Sequence, residues 1–284
     1  MSQQDFSHAA LVLLGHGSTR NTGSAAPVYL QAGELRARSV FGEVREAFWK
    51  QEPRVTEVLS DITMTNVFLA PLFISEGYFA EEAIPRELGF RTGQGEFSRV
   101  QRRGAQTLFY CKPLGTHDTM TAVVLARARE IVDKFPFPRA PLPQETTLFI
   151  AGHGTDKNED SRKSIERQVE RVGGLNSYAC VHGVFLDEEP RVGECYGMAE
   201  TRNIAVVPYF ISDGMHTQQD IPVMLGEPER IVRQRLQNGQ PPWRNPTERK
   251  GKLVWYASSV GSHPQIAEVI LERVGEAAEW VCRG

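Results

Sequence analysis

The chain has 284 residues, 40% apolar and 24% charged, with a formal net charge of −3; this is ordinary for a water-soluble globular protein of about two domains. The charge balance gives no reason to expect nucleic acid or an anionic membrane as partner. No apolar run approaches the ~20 residues of a membrane helix, and the N-terminal MSQQDFSHAA lacks the basic and apolar regions of a signal peptide. Cys111, Cys180, Cys195 and Cys282 are scattered without a C-x-x-C pair. That spacing fits reduced thiols in a cytoplasmic protein better than a disulfide framework or an all-cysteine zinc site.

In chain order, ALVLLGHG is a short apolar run with a glycine stop, which suits a buried parallel strand. APVYLQAGELRARSV carries apolar residues at helical spacing, EVREAFWKQ alternates like a strand, and VTEVLSDITM is helical again. NVFLAPLFIS, AEEAIPREL, QTLFYCKPL and MTAVVLARAREIV continue the alternation. Next comes KFPFPRAPLPQET, whose four prolines can neither continue a helix nor sit in a central strand. A linker is therefore expected over 136–145, between domains at 1–135 and 146–284. TTLFIAGHG, SRKSIERQVERV, YACVHGVFL, VGECYGMAE, NIAVVPYFIS, TQQDIPVML, KLVWYASSV and PQIAEVILERVGE then repeat the rhythm. The fold class expected is α/β: two tandem parallel-sheet domains, an internal duplication facing a central cleft.

The duplication is visible residue by residue. LLGHGST around His16 returns as IAGHGTD around His153, 137 residues later. FWKQEPRV returns as FLDEEPRV, and APLFISEG as VPYFISDG, at the same offset. PLGTHD around His117 returns as SVGSHP around His263 at 146, so the second copy gains nine residues between Pro222 and Gly261. The copies differ in chemistry. Lys50 stands against Asp187, Gln51 against Glu188, Glu52 against Glu189, Phe79 against His216 and Ala83 against Asp220.

In parallel α/β sheets ligands bind beyond the carboxyl ends of strands. His153, Asp187, His216 and His263 each follow a strand of the second copy. Neutral imidazoles and carboxylates suit a divalent cation, whereas a lysine ammonium repels it. The second copy is thus the one equipped to hold a metal, with His153 and His216 as donors. One acid among Asp187, Glu188 and Glu189 is expected to join them, the choice among the three being open. Asp220, four residues after His216, can take the other ring N–H and fix the tautomer; a solvated first-turn carboxylate is the competing reading. His16, His117 and His263 read as structural at least as well as functional. Tyr78 and Phe79 read as an apolar wall or as core. Arg86, Arg91, Arg99, Arg102 and Arg103, with Arg230, Arg233, Arg235 and Arg244, are candidate carboxylate binders.

Together LLGHGS, GHGT, FLDEEP, PYFISDGMHTQQDIP and PLGTH resemble the class II tetrapyrrole chelatases of the CbiX and SirB type, over nearly the whole chain. The resemblance implies ATP-independent insertion of Co²⁺, Fe²⁺ or Ni²⁺ into a metal-free tetrapyrrole such as sirohydrochlorin, with the ion as substrate and no organic cofactor. It implies His153 and His216 as metal ligands with Asp187 or Glu189. Asp187 and Glu188 become candidate proton acceptors, and His16, Tyr78, Phe79, Arg86, Thr155 and His263 candidate substrate contacts. The complete histidine pair is C-terminal, as in the CbiK type. A carrier that binds metal or tetrapyrrole without turnover would need the same ligands and is the alternative. Oligomeric state is open, with a monomer compatible.

Overall fold

The computed structural model describes residues 5–18, 22–91, 97–154 and 160–280. Its elements begin with β1 (Phe6–Gly15), α1 (Ala26–Arg38), β2 (Phe41–Phe48), α2 (Val55–Asp61) and β3 (Asn66–Pro71). α3 (Ile84–Glu87), β4 (Val100–Arg103), β5 (Gln106–Tyr110) and α4 (Met120–Lys134) complete the first repeat. The second supplies β6 (Thr146–Gly152), α5 (Asp160–Gly174), β7 (Cys180–Phe185), α6 (Cys195–Met198), β8 (Asn203–Pro208) and α7 (Ile221–Met224). It ends with α8 (Glu229–Gln237), β9 (Thr247–Arg249), β10 (Lys252–Tyr256) and α9 (Ile266–Ala278). Among the described residues no helix is long and apolar enough to cross a membrane.

Two similar sheets result, ordered β2-β1-β3-β5-β4 and β7-β6-β8-β10-β9. In each, four strands are parallel, and β1 and β6 lie inside, buried on both faces. β4 and β9 each add an antiparallel strand at the edge of the parallel sheet. The short hairpins VQRRGAQ and ERKGK make this turn, with Gly104 and Gly251 at positive φ. Arg102 and Arg103 are therefore edge-strand residues. His8 is an exposed residue of β1. His182 packs in β7 beside Phe149.

Register is kept between the copies. Gly15 pairs with Phe48 and Leu14 with Pro71; Gly152 pairs with Phe185 and Ala151 with Pro208. Corresponding strands thus end at matching heights, and the residues that follow them stand on equivalent rims.

By packing, the chain divides differently from the expected 1–135 and 146–284. One compact unit holds Met1–Thr119 with Pro264–Gly284, the other Met120–His263. α4, written in the first repeat, covers the second sheet; α9, written in the second, covers β3 and β5. The proline-rich stretch ends a repeat in sequence, but the last helix of each repeat lies on the other sheet. Hydrophobic spacing specifies which face of a helix is buried and leaves open which sheet receives it. Val132 of α4 buries against Leu253 and Trp255 of β10, and the Trp255 indole N–H donates to the Phe135 carbonyl at 2.9 Å. Each such apolar side chain contributes roughly 1.5–3 kcal/mol.

A matched pair of buried arginines fastens both helices. Arg127 donates to the Ser259 carbonyl (3.1 Å) and to Ser262 Oγ (2.7 Å), and Arg273 to the Pro113 carbonyl (3.0 Å) and Thr116 Oγ1 (2.8 Å). Glu130 and Glu276 take the remaining charge, each at 2.7 Å. All four equivalent positions sit at the 146-residue offset. Removing either guanidinium strips two loop acceptors of a charged donor. Arg127→Ala and Arg273→Ala should each cost about 3 kcal/mol, or roughly 5–10 °C in Tm. Thermal unfolding followed by circular dichroism measures this; an unchanged Tm in both variants would remove the arginines from the fastening role.

Candidate metal-binding site

β6 ends at Gly152 and the chain turns through His153 and Gly154. Gly154 has φ +65°, and a Cβ there would meet Glu188 Oε1 at 2.5 Å and Phe185 Cβ at 2.9 Å. Glycine is required both by conformation and by space. The turn lets the His153 Nδ1–H donate to the Gly154 carbonyl at 2.7 Å. Because a carbonyl only accepts, Nδ1 carries the proton and Nε2 the lone pair.

His216 arrives by a different device. Residues His216–Asp220 form a π-turn ahead of α7, and the Ile221 N–H bonds the His216 carbonyl five residues back. Pro222 explains the widening: it has no N–H, and its ring crowds the carbonyl four residues earlier. The first copy does the same over Phe79–Ala83 ahead of Pro85. In this turn the His216 Nδ1–H meets Asp220 Oδ2 at 2.7 Å. His216 Nε2 is left with its lone pair as well.

The two rings come together. Their centroids are 4.7 Å apart and their planes cross at 84°. An ion held through Nε2 at ~2.1 Å lies about 3.2 Å from a ring centroid, so two imidazoles sharing it at right to tetrahedral angles have centroids about 4.6–5.3 Å apart. The observed separation falls within that span. Both side chains are about two-fifths exposed, so an ion has access.

The acids of DEEP are arranged otherwise than expected. Asp187 Oδ2 lies 3.3 Å from His153 Nδ1, against the nitrogen that carries the proton. Glu188 is drawn to Arg162 Nε at 2.9 Å, and the Arg162 guanidinium lies on the Phe185 ring. Glu189 shares a hydrogen bond with Glu194, which raises its pKa, and faces Arg191 at 3.6 Å. Among the described residues no three His, Cys, Asp or Glu side chains converge as a metal cage. Among the described residues neither Asp187 nor Glu189 joins the two imidazoles as a third donor. Thr155 lies outside the described residues.

The first rim has the same frame with other contents. His16 Nδ1–H donates to the Gly17 carbonyl at 2.8 Å, but the ring packs edge-on to Phe79 at 5.0 Å, where the second copy has His216. Trp49 (5.6 Å) and Phe73 (6.5 Å) complete an aromatic surround, and the Lys50 ammonium sits over Trp49 and Phe79. Burial, together with Lys50, lowers the His16 pKa. One donor beside a cation does not hold a divalent ion. Tyr78, more than half exposed, touches Phe79 and extends the aromatic surface outward.

The expected cations are mostly engaged. Arg86 lies 3.6 Å from Glu82 and Arg99 pairs with Glu81. Arg91 donates to the Glu81 carbonyl and Arg103 to that of Leu88. Arg233 and Arg235 pair with Glu229 and Glu227.

With this geometry in view the relatives are informative. The sequence model of the CbiX family matches residues 10–131 and 147–277, once for each repeat. The chain belongs to the CbiX family. A probable sirohydrochlorin cobaltochelatase of Halobacterium salinarum is 37% identical over 279 residues, 94% of this chain and 91% of that one. A sirohydrochlorin cobaltochelatase of Methanopyrus kandleri is 32% identical over 138 residues, covering 46% of this chain and 95% of its own. Among solved structures, a multi-domain protein of Deinococcus radiodurans, described as similar to chelatases, superposes with a TM-score of 0.74 at 27% identity. The match covers 95% of this chain and 54% of that one, so this CbiX chain spans about half of its length.

His263, a candidate substrate contact, is set beside the fastening of α4. Burial and Arg127 lower its pKa, and burial and Arg273 lower that of His117, whose Nε2 lies 3.4 Å from Glu276. Folded imidazoles that resist protonation tie stability to pH. Their contribution is complete above the unfolded pKa of 6.5 and is lost as pH falls from there through the folded pKa. Urea unfolding at pH 7.5 and 5.5 should therefore show a smaller acid-induced loss in His117→Gln and His263→Gln than in the parent chain. An equal loss in all three would exclude these residues as the source.

Proposed function

We propose that the chain inserts a divalent metal ion, Co²⁺ or Fe²⁺ and by the same chemistry Ni²⁺, into metal-free sirohydrochlorin without ATP. The observation that carries this reading is the imidazole pair 4.7 Å apart, each Nδ1–H committed to a fixed oxygen. Membership of the CbiX family and the relatives' names as sirohydrochlorin cobaltochelatases support the substrate.

On this reading His153 and His216 present the ion through Nε2. Imidazole suits the later first-row divalent ions. Two protein donors leave coordination positions for water and for incoming pyrrole nitrogens. As the ion enters the macrocycle, two pyrrole N–H protons must leave. The imidazoles, released from the ion, offer their Nε2 lone pairs to those protons. Asp187 beside His153 and Asp220 beside His216 stabilise the imidazolium that forms. Glu188, held by Arg162, is the less available acceptor.

Purified protein, metal-free sirohydrochlorin and Co²⁺ should show the spectral change of metallation over many turnovers per protein molecule. His153→Ala and His216→Ala should each abolish turnover, and Asp220→Ala should lower the rate about 10–100-fold by loosening the His216 ring. Full activity in either histidine variant would remove that residue from the mechanism. A spectral change that stops at one equivalent of protein would replace the enzyme with a carrier.

A further inference from the structure

A cavity of about 650 Å³ opens within the unit Met120–His263, beyond the carboxyl ends of β8 and β10. Thr217 and Gln218, the residues directly after His216 in its π-turn, form part of the wall. The turn is joined to the floor: the buried Tyr256 hydroxyl donates to the Thr217 carbonyl at 2.7 Å. The cavity therefore backs onto the same short segment that carries one of the two imidazoles.

Its walls have two sources. Gln240, Pro242, Trp243 and Arg244 come from the stretch between Pro222 and Gly261 in which the second repeat is nine residues longer than the first. The Trp243 indole N–H is used on the Val254 carbonyl at 3.2 Å, which leaves the ring to line the space. Ile131, Lys134 and Phe135 come from the end of the exchanged helix and the residue after it.

Charge decides what such a space takes. Among the charged lining groups, Arg235 is neutralised by Glu227 at 3.1 Å. Asp213 is spent on the Ser259 N–H at 2.8 Å and the Ser262 hydroxyl at 3.3 Å. Lys134 and Arg244 are exposed and have no ion-pair partner among the described residues. An apolar floor of Trp243, Tyr256 and Phe135 is thus bordered by two cations without a carboxylate partner among the described residues, Lys134 lying over the Phe135 ring at 5.6 Å. That combination matches a carboxylate on a short aliphatic stem: methylenes against the rings, the charge at the cations.

We propose that this cavity is an anchoring subsite for the carboxylate side arms of the tetrapyrrole, held by Lys134 and Arg244 beside the turn that carries His216. The inference rests on the reading of the chain as a sirohydrochlorin chelatase. It assigns a substrate-binding role to a region without a counterpart of equal length in the first repeat. A free organic acid has the same chemistry, and the assay separates the two sources.

The test is Lys134→Ala, Arg244→Ala and the double variant in the full chain. Neither side chain has an ion-pair partner among the described residues, and Lys134 touches only the Phe135 ring at 5.6 Å, so Tm should shift by no more than about 2 °C. Steady-state cobalt insertion should show KM for sirohydrochlorin raised about tenfold for each cation lost, with kcat within about twofold. Equilibrium binding of metal-free sirohydrochlorin, followed by its absorbance, should weaken in parallel. The fully methyl-esterified macrocycle should bind the parent and the double variant equally. Unchanged KM and Kd in the double variant of an active protein would overturn the subsite and leave the chelatase reading intact. An inactive parent chain that still binds sirohydrochlorin, and loses that binding in the double variant, would overturn the chelatase reading and keep the subsite. An equal loss for the acid and its ester would overturn carboxylate recognition.

Discussion

Each imidazole of the second rim gives its Nδ1 proton to an oxygen that the backbone has already placed, and this fixes what the site can be. A free histidine side chain presents either nitrogen and samples several rotamers. Here the Gly154 carbonyl and the Asp220 carboxylate select one tautomer and one ring orientation for each residue. The local structure exists to supply those two acceptors. The left-handed turn at Gly154 points its carbonyl back at the preceding ring, and the proline-widened π-turn places Asp220 against His216. Strand register then sets both segments at the same sheet edge.

The first repeat shows that this frame is separable from its chemistry. It has the glycine at positive φ, the π-turn and the proline, and its histidine makes the same hydrogen bond to the next carbonyl. What changed is the partner ring and its support: Phe79 has no nitrogen to offer, and Ala83 has no carboxylate to steady one. Lys50 adds a positive charge on top. The rim is an aromatic surround about a half-buried imidazole whose pKa burial and Lys50 lower. The same backbone carries either set of side chains, because its constraints come from glycine and proline rather than from the ligands.

Much of this was legible in the sequence, and what was hidden has a physical reason. A repeat held at one offset over three blocks dictates two similar sheets, and it places His153, His216 and Asp220 on one rim. The exchange of α4 and α9 was not legible. A helix with one apolar stripe reads the same whichever sheet it covers, and Arg127 and Arg273 look like ordinary surface cations until their loop acceptors are seen. The acid run misled in a related way. DEEP offers three carboxylates, and nothing in the run says that Arg162, twenty-six residues earlier, will claim Glu188 or that Glu194 will claim Glu189. Periodicity reports burial; it does not report which ion pairs form.

Among the described residues the carboxylates nearest the two rings stand on their Nδ1 side, and this bears on function. A structural metal site closes its coordination sphere, since every added donor deepens the well in which the ion sits. A protein that must pass the ion to a macrocycle gains nothing from that depth: the pyrrole nitrogens have to displace whatever the protein contributes. Two imidazoles, with carboxylates set behind the rings instead of beside the ion, keep the well shallow. They also place negative charge where an imidazolium would form. If Asp187 moved from the Nδ1 side of His153 to the ion, it would strengthen binding and withdraw that support from the ring. The observed position therefore favours transfer over storage, and on this ground the enzyme fits the geometry better than the carrier.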